Sequence, residues 1–140
     1  MLLTFLELCG IIILYNEYTI HMKGSYIMPT LMEIFNVLKT LNIEYKYGIA
    51  GSYARGTAKL RSDIDIVVDT DSLDIDIIEL IKKSLKSKFN KNSDVLCLEL
   101  LRQEDIDLDN LAISVGLEPN EDSAYKSIIR EVVWFDEVLS

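Results

Sequence analysis

Histidine and cysteine are scarce in this sequence, and their scarcity excludes several kinds of active site. The 140 residues include one histidine, His21, and two cysteines, Cys9 and Cys97. Two cysteines so far apart form neither a disulfide framework nor a zinc site. A single histidine gives little basis for a mechanism that needs a histidine base or a histidine-ligated metal. The expected setting is therefore the reducing cytoplasm.

Basic residues are also few. The chain has 14 lysines and arginines against 23 aspartates and glutamates, which gives a net charge of −9. Proteins that bind nucleic acid need clustered basic residues, so no direct nucleic-acid binding is expected. An acidic surface is better suited to cations or to a basic protein partner.

Repeats, low-complexity segments and linkers are absent. Apolar residues make up 49% and charged residues 26% of the chain, which is ordinary globular composition. The length corresponds to one domain. The sequence therefore predicts a single globular domain.

The N-terminal 27 residues are treated apart from this domain. Their apolar beginning is interrupted by Glu7, is too short to span a bilayer and lacks the basic start of a secretory signal, so no membrane association is expected. They are either an extra strand or helix, or an extension upstream of a misassigned start. The second interpretation is favoured, with Met22 or Met28 as the first residue. The predicted division is an extension over 1–27 and a domain over 28–140.

Hydrophobic periodicity predicts alternating helices and strands after Pro29. Thr30 followed by Glu33 is a capping-box pattern, and apolar residues then recur at helical spacing. The predicted helices cover about 31–41, 73–88, 104–115 and 120–130, and the predicted strands cover about 43–50, 64–68, 94–100 and 132–135. This order predicts an α/β (α+β) fold with a mixed β-sheet and helices mainly on one face.

The most informative segment begins at the end of the first predicted strand. Gly51 lets the backbone approach a phosphate closely, and the hydroxyl of Ser52 and the free amides of the turn can donate hydrogen bonds to it. A Gly-Ser pair alone is more often an ordinary turn. No Gly-x-Ser-x-Gly hydrolase elbow surrounds Ser52, and the chain has neither a P-loop nor a dinucleotide fingerprint.

Two aspartates follow on the next predicted strand. Asp63 and Asp65 are two residues apart, so their carboxylates are expected on the same face. Adjacent carboxylates repel each other unless a cation lies between them, and magnesium prefers such oxygen ligands. An isolated Asp-x-Asp is more often a solvated edge. The combination of this pair with the Gly-Ser turn is more specific than either part.

Residues Gly51–Asp65 resemble the signature of the polymerase-β-type nucleotidyltransferases, which is Gly-Ser, ten residues and Asp-x-Asp. The finer pattern, Gly-Ser-x-Ala-Arg-Gly and then Ser-Asp-Ile-Asp, resembles the minimal nucleotidyltransferase (MNT) group. This group includes the MntA-like antitoxins of HEPN/MNT toxin–antitoxin pairs. The predicted order of elements after Met28 agrees with the small fold of that group.

The resemblance implies a metal-dependent transfer of AMP from ATP to an acceptor hydroxyl. By this resemblance Gly51 and Ser52 bind the phosphates of ATP, and Asp63 and Asp65 hold two Mg²⁺ ions. It also implies a third carboxylate on a later strand, for which Asp94 is the candidate and Glu99 the alternative.

Arg55 is a further candidate for phosphate binding. The implied acceptor is a tyrosine of a HEPN-type toxin. Two alternatives stay open: an antitoxin module that binds its partner without catalysis, and nucleotidyl transfer to a small molecule. Whether the chain forms a homo-oligomer is also open.

Overall fold

The computed structural model of the chain describes residues 28–138, so the predicted N-terminal extension lies outside the described residues. The helices and strands follow one another as α1 (Leu31–Lys39), β1 (Tyr47–Ala50), α2 (Gly51–Arg55), β2 (Ile64–Val68), α3 (Ile75–Phe89), β3 (Ser93–Cys97), α4 (Leu98–Ser114), α5 (Ala124–Glu131), β4 (Val133–Trp134) and α6 (Phe135–Val138). This is the predicted order, in which the predicted turn after Gly51 forms the short helix α2, with one addition, the short helix α6.

The four strands form one mixed sheet in the order β3-β2-β1-β4. Strand β1 is antiparallel to both of its neighbours, β2 and β4, whereas β2 and β3 are parallel. The parallel pair is joined through α3, as a parallel connection requires a crossover. The mixed sheet and the α+β class agree with the sequence prediction.

Side chains alternate between the two faces of the sheet and build two cores of unequal size. Ile64, Ile66 and Val68 of β2 point into the larger core, which α1 and α3 cover. Val67 points to the other face, where Ile128 of α5 and the first turn of α4 form a smaller cluster. The larger core therefore lies under α1 and α3, and the smaller cluster on the other face is covered by α4 and α5.

Helix α1 begins as its sequence predicts. The Thr30 hydroxyl accepts from the Glu33 amide at 3.2 Å, and the Glu33 carboxylate accepts from the Thr30 amide at 2.8 Å. This reciprocal capping box satisfies two amide donors that the first turn leaves free. Ile34, Phe35 and Leu38 then bury one face of the helix completely.

Strands β1 and β3 are shorter than their sequences predict, and β2 is the reason. Strand β2 ends at Val68, which pairs with Tyr47 on one side and with Cys97 on the other. Residues before Tyr47 or after Cys97 have no neighbouring strand with which to continue the ladder. The chain therefore turns into α4 at Leu98, six residues before the predicted helix start.

The start of α5 also differs from the prediction. Helix α5 is capped by the hydroxyl of Ser123, which accepts from the Lys126 amide, and not by Asn120. The Asn120 side chain instead accepts from the Asp122 amide within the preceding turn.

None of the helices within residues 28–138 has both the length and the apolar character that crossing a bilayer requires.

Candidate active site

The turn at Gly51 lies directly against the carboxylate of Asp65. Strand β1 ends at Ala50, which pairs with Asp65 across the antiparallel ladder, and Gly51 then starts α2 with φ +68°. A Cβ at position 51 would lie 3.2 Å from Asp65 Cγ and would collide with Asp65 Oδ2. Glycine is needed here both for the left-handed backbone conformation and for the close approach to Asp65.

Helix α2 is a single short turn that reverses the chain above the sheet. It ends at Gly56, also left-handed at φ +75°, and the Thr57 amide donates to the Ser52 carbonyl at 2.9 Å. Ser52 is half-buried in its first turn. Tyr53 is buried in the larger core.

Three aspartates gather at this end of the sheet. Asp65 of β2 and Asp94 of β3 are register partners in the parallel pair. Neighbouring strands are ~4.8 Å apart, and residues in register have side chains on the same face. Asp63 lies one residue before β2 begins and is exposed. The prediction that Asp63 lies on the same strand as Asp65 is therefore wrong. The predicted third carboxylate, Asp94, is therefore beside Asp65.

The pKa of Asp65 shows how concentrated the negative charge is. Burial raises the pKa of this carboxyl, and Asp94, Asp63 and Glu131 raise it further, while Arg55 opposes the shift. Each neighbouring carboxylate makes the ionised form of Asp65 less favourable. A cation bound here would relieve that repulsion.

The carboxylate oxygens of this cluster are the kind of ligand that magnesium prefers. Across residues 28–138, no group of three or more His, Cys, Asp and Glu side chains is arranged to hold a metal ion by itself. Magnesium keeps several waters and typically uses one or two carboxylates together with the phosphates of a substrate. Asp65 and Asp94 supply that number of oxygen ligands, with Asp63 close enough to affect the same carboxyl.

Glu131 belongs to this site, although the sequence analysis did not identify it. The Gly51 amide donates to Glu131 Oε2 at 2.8 Å, and Arg55 Nη1 donates to Glu131 Oε1 at 2.8 Å. One carboxylate thus engages two residues that were predicted to bind phosphate. The contact spans 80 residues of sequence, so no local spacing reveals it. The one available signal is an acid at the last position of α5, where the helix dipole disfavours negative charge.

A buried lysine fixes the loop between the two halves of the motif. Lys91 is 5% exposed, and its Nζ donates to the Leu60 carbonyl, three residues before Asp63. The adjacent Ser62 hydroxyl accepts from the Lys59 amide at 2.8 Å, which tightens the same loop. Lys91 was also missed, because a lone lysine after a helix is usually exposed.

Glu99, the alternative to Asp94, lies outside the site. Strand β3 runs from Asp94 away from the cluster and ends at Cys97, so Glu99 follows the opposite end of the strand, in the first turn of α4. Its carboxylate pairs with Arg102, and the hydrogen bond from Arg102 lowers the pKa of Glu99. Asp94 is thus the carboxylate that the fold places beside Asp65.

A glycine turn against paired carboxylates, at one end of a small mixed sheet, defines the nucleotidyltransferase class of site. The family model described as "Nucleotidyltransferase domain" matches residues 31–135, and the chain belongs to that family. The match includes every described element except the end of α6. The predicted family is therefore confirmed, while the roles of the individual residues stay predictions.

Two solved structures are similar to the chain at low sequence identity. A crystal structure of a toxin–antitoxin with AMP-PNP is 20% identical, with a TM-score of 0.48, over 75% of this chain and 78% of that chain. A crystal structure of a mutant of the toxin–antitoxin MntA-HpeT is 16% identical, with a TM-score of 0.48, over 79% and 80%. Among curated proteins, none matches the chain significantly.

Proposed function

We propose that this chain is a magnesium-dependent nucleotidyltransferase that transfers AMP from ATP to an acceptor hydroxyl. The observation that carries the proposal is the contact between the Gly51 turn and the Asp65 carboxylate, with Asp94 in register beside it. This contact supports the proposal, because the candidate hydrogen-bond donors for phosphate lie beside the candidate metal ligands. Transfer of a nucleotidyl group needs both.

Each residue has a defined task in the proposed reaction. Ser52, the amides of its turn and Arg55 bind the β- and γ-phosphates, while Asp63, Asp65 and Asp94 hold magnesium. When bound, two Mg²⁺ ions neutralise the charge on the phosphates and on the attacking and leaving oxygens. The acceptor oxygen forms a bond to the α-phosphorus as the α–β phosphoanhydride bond breaks. Pyrophosphate leaves, and a carboxylate of the cluster takes the hydroxyl proton.

The proposed acceptor is a tyrosine of a HEPN-type toxin, which makes the chain an antitoxin. The resemblance of Gly51–Asp65 to the MNT group supports this choice. The net charge of −9 supports it as well, since it favours encounter with a basic, RNA-binding partner. Residues 28–138 form one small sheet domain, so an acceptor supplied by another protein fits the size of the chain.

Label transfer tests the proposal directly. The purified chain is incubated with α-labelled ATP, magnesium and the protein encoded by the adjacent gene. An Asp63→Ala/Asp65→Ala variant removes the proposed metal ligands. An Asp69→Ala/Asp71→Ala variant is the matched control, because it removes a second, exposed Asp-x-Asp that follows the same strand.

Label on the neighbour with the wild type and the control, but not with Asp63→Ala/Asp65→Ala, is the expected result. Magnesium-dependent ATP binding without transfer would contradict the proposed acceptor and favour a small-molecule acceptor. If the chain neither binds ATP nor transfers label, the enzymatic proposal is contradicted. In that case, neutralisation of the partner by the variant would favour the binding-module alternative.

A further inference from the structure

Helix α4 leaves an apolar stripe uncovered. Leu100, Leu108, Leu111 and Val115 recur at intervals of three, four or eight residues, so they share one face. They are 57%, 57%, 60% and 63% exposed. These four residues, here named the α4 stripe, extend over about 22 Å along the axis. Exposed apolar surface on one helix face is typical of interaction sites, although Glu104 lies between Leu100 and Leu108 in this stripe.

The stripe is not needed to attach α4 to the domain. Leu98 and Leu101, in the first turn of the helix, pack against the smaller core. Lys126 of α5 pairs with Asp109 Oδ2 at 3.1 Å and with Asp105 Oδ2 at 3.8 Å. The inward contacts of α4 are thus made by other residues, and the stripe is available for a partner.

A groove beside the stripe offers a place for an anchoring side chain. It has a volume of about 200 Å³ and lies between Leu101 and Leu108 of α4 and Ser123 and Tyr125 at the start of α5. Large side chains inserted into such pockets contribute most of the binding free energy in many interfaces. The groove therefore adds to the flat stripe a pocket into which a partner can insert a side chain.

Two acidic side chains lie along the stripe and define the charge of its partner. Glu104 is four residues from both Leu100 and Leu108, and Asp107 is four residues before Leu111; both acids are exposed. Neither has a cationic partner within residues 28–138, whereas the other acids of α4 pair with Arg102 or Lys126. An occupant must bring lysine or arginine to the edges of its apolar face.

This charge requirement disfavours the two occupants that the chain itself could supply. A second copy would bring the same acids against Glu104 and Asp107, with a net charge of −9 on each chain. Residues 1–27 are apolar, but their acids Glu7 and Glu17 outnumber their only lysine, Lys23. A basic partner protein is the occupant that these charges favour.

We infer that the α4 stripe is the docking surface for a basic protein that presents an apolar helical face bordered by lysine or arginine. For the identity of that protein the inference rests on the proposed function, in which the acceptor is the basic product of the adjacent gene.

Calorimetric titration of the full chain with the adjacent-gene protein, without nucleotide, tests the docking surface. Leu108→Glu/Leu111→Glu puts charge into the stripe and is expected to weaken binding by roughly tenfold or more. Ile75→Glu is the matched control, because Ile75 of α3 is 68% exposed and lies outside the stripe. Unchanged far-ultraviolet circular dichroism checks that both variants fold.

The Asp63→Ala/Asp65→Ala variant separates docking from catalysis. It is expected to bind the partner as tightly as the wild type, because binding does not use the carboxylates. Stripe-dependent binding without label transfer would overturn the proposed function and support the docking surface. Label transfer together with wild-type affinity of Leu108→Glu/Leu111→Glu would overturn the docking surface only. Failure of the wild type to bind the adjacent-gene protein would overturn the docking surface too.

Two further measurements exclude the other occupants. A dimer of the free chain in light scattering that dissociates in Leu108→Glu/Leu111→Glu would assign the stripe to a second copy and overturn the inference. In a Leu111→Cys variant, fast alkylation of the new thiol is expected, measured against the wild-type background. Burial and Asp71 raise the pKa of Cys97, which keeps its share of that background low. A shielded thiol in the monomer would mean that the chain covers its own stripe.

Discussion

At the scale of single residues, Gly51 is the position where the fold and the proposed chemistry are most tightly connected. Gly51→Ala is expected to destabilise the protein by more than the roughly 1–2 kcal/mol that a left-handed alanine costs, because the new methyl group also collides with Asp65. Urea denaturation measures the loss. Binding of ATP with magnesium is expected to disappear with it.

Gly56→Ala is the matched control for this prediction. Gly56 has a similar φ of +75°, but a Cβ there meets no atom of the described residues within 4 Å. It is expected to cost only the conformational strain, about 1 kcal/mol, and to retain ATP binding. Equal losses of stability in the two variants would mean that the contact with Asp65 has no energetic weight.

Under the proposed function, Glu131 competes with nucleotide for the hydrogen-bond donors of Gly51 and Arg55. Glu131→Gln removes a negative charge that lies on the Gly51 amide and on Arg55. We expect the variant to bind ATP more tightly by roughly three- to tenfold, an effect of about 1 kcal/mol. Equilibrium titration with a fluorescent ATP analogue measures the change, and Glu118→Gln, at an exposed site, serves as control. Weaker binding would instead assign Glu131 a supporting role.

At the scale of elements, the five residues of β2 determine the length of the sheet and the position of the site. Their pairing with β1 ends the ladder at Tyr47, and their pairing with β3 ends it at Cys97. The same two ladders place Ala50 and Asp94 on either side of Asp65. The carboxylate pair is thus a consequence of strand register.

That register places charges together at a cost in stability. Burial raises the pKa of Asp65, and its acidic neighbours raise it further, so the ionised carboxylate is disfavoured in the fold. Asp65→Asn is therefore expected to raise the melting temperature without magnesium; about 1 kcal/mol corresponds to roughly 4–8 °C in a small domain. Thermal scans measure the shift, with Asp69→Asn, at an exposed position after β2, as control.

Magnesium with ATP is expected to reverse the order of melting temperatures of the wild type and Asp65→Asn. A cation that binds the folded state stabilises it, so magnesium with ATP should raise the melting temperature of the wild type. Asp65→Asn should show little or no rise. A variant that melts lower than the wild type without magnesium would contradict the repulsion argument.

At the scale of the whole molecule, the charge of −9 predicts association that depends on salt. Screening at physiological ionic strength extends over about 8 Å, and steering of a basic partner weakens as salt increases. The association rate with the adjacent-gene protein is expected to fall by roughly tenfold between low and high salt, measured by stopped flow. Glu104→Lys/Asp107→Lys should lower the rate and Glu118→Lys should change it less. A rate independent of salt would contradict electrostatic steering.

The sequence by itself determined the local features. The capping box at Thr30, the strand over residues 64–68 and the Gly-Ser turn all follow from residues within a few positions of one another, because caps, alternation and positive φ are local properties. The family followed from the short motif Gly51–Asp65, and the choice of Asp94 followed from the family resemblance and its place at the start of a later strand. The family model bears out the first of these, and the second stays a prediction about role.

Only the tertiary structure decided what depends on distant partners. The lengths of β1 and β3 and the start of α4 depend on where β2 stops, which no local window contains. Glu131 and Lys91 reach the site from 80 and 31 residues away in sequence. The exposed side of α4 is likewise invisible in a hydrophobic pattern, because apolar spacing predicts a buried face and only packing shows which face has no neighbour.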